Sequence, residues 1–257
     1  QALLNNPADT KIQIGNNLTK GLGSGGDPEV GHDAAQESQE SIREHLEGAD
    51  MIFIAAGEGG GTGTGAAPVV AEIAKELGAL TVAVVTKPFV FEGARRKVNP
   101  DDGIDNLKEK VDTLIVIPNQ KVLEIIDSKA GMLDAFKKVD SILHQGVKGI
   151  SELITTSGLI NVDFADVRAI MADAGTALMG IGTGSGEHRT TMAIKEAISS
   201  PLLETSMEGA KGVLFNIVGG PDMSMTEVDE AASLITKAAD PDADIIFGAV
   251  VDEKMID

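Results

Sequence analysis

The sequence contains no cysteine, no tryptophan and no tyrosine, and its only aromatic residues are seven phenylalanines. Without cysteine there is no disulfide framework and no thiolate chemistry, which fits a reducing cytoplasm. Without Trp or Tyr, a site built on ring stacking has only Phe to use. Basic residues are scarce: 21 Lys and Arg stand against 40 Asp and Glu, for a formal net charge of -19. That balance argues against a nucleic-acid surface, which needs a basic stripe, and it favours solubility. Long apolar runs are also missing. None approaches the ~18–20 residues of a membrane span, so no direct membrane insertion is expected. His32, His45, His144 and His188 are scattered without ligand spacing, and no protein metal site is expected. Apolar residues make up 42% of 257, enough for one large core or two modest ones. The chain opens on Gln1 and stops at Asp257 just after a strand-like run, 244–251, so it reads as a fragment of a longer protein.

Glycine, by contrast, is abundant and concentrated. In the run Gly57-Glu58-Gly59-Gly60-Gly61-Thr62-Gly63-Thr64-Gly65, six of nine residues are glycine. An apolar stretch, Met51 to Ala56, precedes it, and a helix-like stretch from Ala66 follows. Strand, glycine loop and helix in that order make a phosphate cradle: bare N–H groups approach the ligand, and the helix N-terminus adds unpaired donors and partial positive charge. A second glycine loop, Gly21 to Pro28, lies upstream. Gly61-Thr62-Gly63-Thr64-Gly65-Ala66 also satisfies G-x-G-x-x-A, a dinucleotide fingerprint. The next strand ends Val85-Thr86-Lys87, however, without the acid that would hold a ribose.

The pattern along the chain is α/β. Helices are expected at 33–47, 66–77 and 102–110, and strands at 50–56, 80–86 and 113–117. The alternation argues a parallel, Rossmann-like sheet. Over 131–155, Leu133, Phe136, Val139, Leu143, Val147, Ile150 and Ile154 step by three or four, which predicts one long buried helix. Beyond it, strands at 175–182, 212–218 and 244–251 alternate with helices at 190–198 and 226–238, giving a second, smaller α/β layer. The expected domains are 1–130, a central helix at 131–157, and 158–257.

Candidate contacts follow the strand ends, where open α/β sheets bind ligands. Glu92 and Arg96 lie in the loop after the second strand; Glu92 could bond sugar hydroxyls and Arg96 a phosphate, although for this loop taken alone an ordinary solvated charge cluster is the favoured reading. Asn119 ends the third strand, where a helix cap is the plain alternative. Phe136 and Asp140 share one face of the long helix and could stack on and bond a base, while spacing alone favours core packing for Phe136. Asn161, Asp163 and Asp166 cluster where a further helix starts. Spacing alone favours capping, with Asp163 at the cap, an arrangement worth about 1 kcal/mol. A helix of six turns separates these carboxylates by about 35 Å from its own start. They are out of reach of the chain's own glycine loop and within reach of that of a neighbour stacked head to tail.

Gly60-Gly61-Thr62-Gly63-Thr64-Gly65 resembles the signature of the tubulin/FtsZ family. Phe91-Glu92-Gly93-Ala94-Arg95-Arg96, Ile117-Pro118-Asn119, Leu133-Asp134-Ala135-Phe136, Asn161-Val162-Asp163-Phe164-Ala165-Asp166 and Ser199-Ser200-Pro201-Leu202-Leu203-Glu204 resemble its FtsZ branch, in the same order. The resemblance implies a GTPase that polymerises head to tail into protofilaments of the bacterial division ring, cytoplasmic and at mid-cell. By that likeness Gly60, Gly61, Thr62, Gly63 and Thr64 hold phosphates, and Gly23, Ser24, Gly25 and Gly26 border the γ-phosphate. Glu92, Arg96 and Asn119 contact the ribose region, and Phe136 and Asp140 meet guanine. Asn161, Asp163 and Asp166 act in trans on the nucleotide of the next subunit. GTP or GDP with Mg²⁺ is the implied ligand set. The chain itself is the implied main partner, with division proteins and membrane tethers reached through a tail absent here. Gln120 stands where the family has Asp. The family's first strand with its own glycine loop, and its last strand, are expected to lie outside the sequence, so this fragment is expected to be less competent than its parent. The alternatives are an NAD(P)-binding Rossmann oxidoreductase and a filament-forming homologue that does not hydrolyse GTP.

Overall fold

The computed structural model describes residues 2–93, 100–126, 131–203, 207 and 209–255, which fall into two compact units. The first takes Gln1–Gln120 with Asp173–Ala177. Its elements are α1 (Ala2–Asn5), α2 (Pro28–Glu37), α3 (Gln39–Leu46), β1 (Met51–Gly57), α4 (Gly61–Glu76), β2 (Leu80–Lys87), α5 (Val90–Gly93), α6 (Pro100–Lys108) and β3 (Thr113–Pro118). A four-residue helix, α7 (Asn119–Val122), starts where β3 ends, and β4 (Gly175–Ala177) is supplied by a later return of the chain.

The four strands pair in the order β1-β2-β3-β4, all parallel, with Met51 beside Leu80, Val82 beside Thr113 and Thr113 beside Gly175. β2 is buried along its whole length apart from Lys87, as a continuous apolar strand must be when both faces are covered. Ile52, Ile54, Ala71, Val85, Leu107 and Leu114 form one core cluster, and Ala35, Ile42, Ala66, Val69 and Ile73 form a second.

Several boundaries differ from the sequence pattern, each for a physical reason. The helix expected at 33–47 is two helices. Asp27 caps α2 by accepting the Glu29 N–H at 2.9 Å, and Pro28 takes its first turn, a start signal five residues before the periodic pattern begins. Ser38 interrupts the pair, its hydroxyl turned to accept the Gly15 N–H at 3.1 Å. The helix expected from Ala66 starts at Gly61. Pro68 and the weak helix propensity of glycine and threonine point to a later start, and tertiary packing overrides them.

The strand expected at 175–182 is only three residues long and belongs to the first sheet, not to the second layer. Its remainder runs against a helix instead. Side chains at Gly180, Gly182 and Gly184 would overlap the carbonyl oxygens of Ala197, Ala193 and Arg189, so these alternating glycines let extended backbone lie on α10 (Arg189–Ile198).

The second unit takes Lys121–Ala172 and Leu178–Asp257. It comprises α8 (Met132–Thr155), α9 (Phe164–Met171), α10, β5 (Gly212–Gly219), α11 (Met225–Ala238) and β6 (Asp244–Val251). β5 and β6 pair in parallel over eight residues each. The long helix expected at 131–155 is present as α8. Its buried face is set by Ala135, Val139, Ile142, Gly146 and Leu153, whereas Leu133 is 67% exposed. Of the expected stripe, Val139 lies on that buried face.

Arg189 joins α10 to α11. Its Nε donates to Glu227 Oε1 at 2.6 Å and its Nη1 to Asp222 Oδ2 at 2.5 Å. Glu227 also accepts the Ser224 N–H at 2.8 Å, while Ser224 Oγ accepts from the Glu227 N–H, closing a reciprocal cap on α11. The Arg189 guanidinium first, and the Ser224 N–H second, hold the Glu227 carboxyl at about 2. Because this lies below its ordinary 4.5, the stability it contributes is complete above pH 4.5 and is lost as pH falls towards 2. Glu227→Gln should therefore be less stable than wild type at neutral pH, with the deficit narrowing on acidification, and Ser224→Ala should cost about 1 kcal/mol. Urea unfolding at a series of pH values measures both.

Candidate nucleotide-binding site

The two glycine loops meet in the first unit. α2 and α4 cross so closely that a Cβ on Gly31 would overlap the Gly61 carbonyl oxygen, and one on Gly65 would overlap the carbonyl of Pro28. A Cβ on Gly61 would lie 2.7 Å from the Asp27 nitrogen and would overlap Ser24 Oγ. A Cβ on Gly63 would overlap the Gly57 carbonyl at the end of β1. Gly61, Gly63 and Gly65 are thus required by packing. The loop 21–27 and the first turn of α4 are held together, with Ser24 Oγ 3.4 Å from Thr62 Oγ1.

Gly59 and Gly60 serve differently. Gly59 turns the chain with φ 84°, a conformation that L side chains resist. Around Gly60 a Cβ would meet nothing within 4 Å, so this face of the loop is open. Gly60 is the N-cap of α4 and supplies no side-chain cap; the first intrahelical bond runs from the Thr64 N–H to the Gly60 carbonyl at 3.3 Å. The N–H groups of Gly61, Thr62 and Gly63 therefore have no partner inside the helix. Thr62 is exposed, and Thr64 is buried with Oγ1 accepting the Gly59 N–H at 2.9 Å. Gly23, Gly25 and Gly26 have open space around them and, with half-buried Ser24, form the opposite lip. Two helix N-termini, of α2 and α4, lie side by side here, and both favour an anion.

Further along the sheet, Asn119 is 5% exposed at the end of β3, and its Oδ1 is buried without a hydrogen-bond partner among the described residues. An orphaned buried acceptor is costly unless a ligand donor satisfies it. Glu92 turns back on its own helix, where Oε1 accepts the Phe89 N–H at 3.0 Å. Gln120, in the position where the family has Asp, accepts the Val90 N–H at 3.3 Å and so ties the two loops together. Arg96 lies outside the described residues. Lys87, at the tip of β2, is bound to Asp101 at 2.8 Å.

The remaining candidates belong to the second unit. Phe136 is half-buried and Asp140 exposed, in the first turns of α8. Asn161 Oδ1 accepts the Gly158 N–H at 2.8 Å. Asp163 occupies the N-cap position of α9, yet its side chain makes no cap hydrogen bond, which corrects the capping expectation. Asp163 and Asp166 are both exposed. α8 has 24 residues, about 36 Å of helix, between the Phe136 end and the Asp163 end. Glu58, which the sequence offers only as a polar residue within the loop, is 1% exposed. Gly31, inside α2, carries a legible signal of its own, since a glycine within a helix marks close packing.

Residues 1–127 match the GTPase domain of the tubulin/FtsZ family, and residues 175–257 match the C-terminal domain of the FtsZ family. The chain belongs to the FtsZ family. An empty FtsZ dimer from M. jannaschii is 49% identical with a TM-score of 0.94, over 98% of this chain and 74% of that one. A single-substitution mutant of that FtsZ gives the same identity and TM-score over 98% and 76%. CetZ2 from Haloferax volcanii, a GTPγS-bound protofilament, is 22% identical with a TM-score of 0.78 over 97% and 76%, and shares the fold. The glycine loops described above therefore sit in an FtsZ-family GTPase domain.

The two kinds of glycine separate by mutation. Gly65→Ala should destabilise the first unit by about 3 kcal/mol through overlap with Pro28. Gly60→Ala should leave stability within about 0.5 kcal/mol while weakening GDP binding at least ten-fold by filling the open face. Thermal melting and a fluorescent-GDP titration distinguish the two outcomes.

Proposed function

We propose that this FtsZ-family GTPase polymerises head to tail into protofilaments of a cytoplasmic division ring at mid-cell, each active site being completed by the next subunit. Gly60 to Thr64 receive the phosphates on N–H donors at the start of α4, and Gly23 to Gly26 border the γ-phosphate. Asn119, Glu92 and Arg96 face the ribose region, and Phe136 and Asp140 take the guanine. Mg²⁺ bound with the nucleotide would offset the phosphate charge. Division proteins and membrane tethers are the further partners this reading expects.

The observation that carries the proposal is the free carboxylate of Asp163. A helix N-cap position occupied by Asp normally turns its oxygen onto the helix; here it is exposed and makes no cap bond. With Asp166 on the next turn and Asn161 before it, it offers acceptors that orient a water and oppose its developing charge. Their separation from the Phe136 end by about 36 Å of helix makes a neighbour's nucleotide the reachable one.

Turnover per subunit in the full-length protein should rise with protein concentration. Asp163→Ala should lower it by about 100-fold or more while leaving GDP affinity unchanged. A phosphate-release assay over a concentration series measures both; turnover per subunit that does not depend on concentration would sink the proposal. A single-turnover assay on GTP separates this reading from a non-hydrolysing filament protein.

A further inference from the structure

The chain between Ile14 and α2 has little apolar packing to hold it. Ile14 packs against the cluster of Ala35 and Ile42. The two large apolar residues that follow, Leu18 and Leu22, are 50% and 89% exposed. The backbone is left-handed at Lys20, Gly21, Gly23, Gly25 and Gly26, with φ between 51° and 86°. A run so rich in glycine has a large conformational entropy that must be overcome to order it. Apolar burial contributes little here, so the shape of the loop rests on polar bonds.

The C-terminal end of α2 supplies them at the start of the loop. Glu37 uses both carboxylate oxygens: Oε1 accepts the Asn17 N–H at 2.9 Å and Asn17 Nδ2 at 3.0 Å, and Oε2 accepts the Leu18 N–H at 3.0 Å. Bonds from N–H groups to a carboxylate are stronger than neutral ones. Ser38 Oγ accepts the Gly15 N–H beside them. Gly15 lies so close to α2 that a Cβ would stand 2.5 Å from Ala34 Cβ. From this footing the turn continues, the Thr19 N–H donating to the Gly15 carbonyl and the Leu22 N–H to the Thr19 carbonyl, each at 2.9 Å. The far end of the loop is fastened by Asp27 as the N-cap of α2 and by the contact of Ser24 Oγ with Thr62 Oγ1. One helix thus grips the loop at both ends.

We propose that Glu37 is a positioning residue for triphosphate recognition: by binding the Asn17 and Leu18 N–H groups, it holds loop 15–26 in the shape in which its glycine lip meets a γ-phosphate. The inference rests on the nucleotide reading above, in which Gly23 to Gly26 border that phosphate. α2 is 10 residues long, so Glu37 stands about 14 Å along the helix from the lip at its start. Direct contact with the nucleotide is therefore not its means of action. The separation also exceeds the screening length of about 8 Å at physiological salt. What charge does reach the phosphates repels them. Electrostatics alone thus predicts unchanged or higher affinity when the carboxylate is removed, and positioning predicts the opposite. A lip already in shape binds without the entropy loss of ordering a glycine loop on its ligand. Because the lip borders only the γ-phosphate, the loss falls on the triphosphate and spares the diphosphate.

The test titrates full-length wild type, Glu37→Ala and Glu37→Gln with GTPγS and with GDP, each displacing a fluorescent GDP, at protein concentrations below assembly. Glu37→Ala should bind GTPγS about ten-fold more weakly than wild type, the loss expected when hydrogen bonds to a charged group are removed. Its GDP affinity should stay within about two-fold. Glu37→Gln keeps one carbonyl oxygen for Asn17 and should recover part of the loss, to about three-fold. Glu37 is exposed, so both variants should melt near wild type. If Glu37→Ala melts well below it, the ratio of GTPγS to GDP affinity in Glu37→Gln decides. Unchanged or higher GTPγS affinity in the variants, or equal losses for GTPγS and GDP, would overturn the positioning role while leaving the nucleotide site standing. Failure of wild type to bind either nucleotide would overturn the nucleotide reading and this inference together.

Discussion

The close crossing of α2 on α4 is the contact on which the rest of the first unit depends. It is a backbone-to-backbone contact, possible only because Gly31, Gly61 and Gly65 carry no side chains. It sets the N-terminus of one helix against the N-terminus of the other and brings loop 21–27 within hydroxyl contact of Thr62. Neither loop alone would make a concave anion site. Pressed together, they leave Gly60 facing open space and three N–H groups unsatisfied by the helix they begin. The same contact explains why α4 starts at Gly61, within a sequence of poor helix formers: the first turn is held from outside.

This also bears on how much the sequence revealed. The strands β1, β2 and β3, the long helix and the glycine loop were all legible, because apolar runs and 3.6-residue spacing report burial directly. The function of individual glycines was not. Five glycines between 59 and 65 suggested five backbone groups bared to a ligand, whereas three of them answer to Ser24, Gly57 and Pro28. Sequence pattern cannot distinguish a glycine that faces a ligand from one that faces another helix. The strand at 175–182 failed for a related reason. Gly180 and Gly182 lie within the expected strand, but with Gly184 they meet the backbone of α10 rather than a ladder. Arg96 lies outside the described residues, and its role rests on the family resemblance alone.

The second unit has a different logic. α8 is a rigid spacer whose two ends carry different chemistry, Phe136 and Asp140 at one and Asn161, Asp163 and Asp166 beyond the other. The Asn161 side chain is committed to the Gly158 N–H, which shapes the turn leading to α9. The carboxylate of Asp163 is not committed to its helix. A cap bond forgone costs about 1 kcal/mol. The missing cap bond, which spacing could not report, is the observation on which the proposed role of Asp163 rests.

A chain of net charge -19 that binds a polyphosphate faces an electrostatic problem, and its solution explains why the glycine loop is built from backbone. A cluster of lysines would attract any polyanion, over a range of about 8 Å at physiological salt. Lys87, the lysine at the end of β2, is neutralised by Asp101. Backbone N–H groups act only at hydrogen-bond distance and only along their own directions. The summed field of the acidic chain therefore disfavours anions in general. In the proposed site, the donors at the start of α4 recover that loss only for a ligand whose oxygens meet them in register. Backbone recognition inside an acidic protein exchanges breadth of attraction for selectivity of fit.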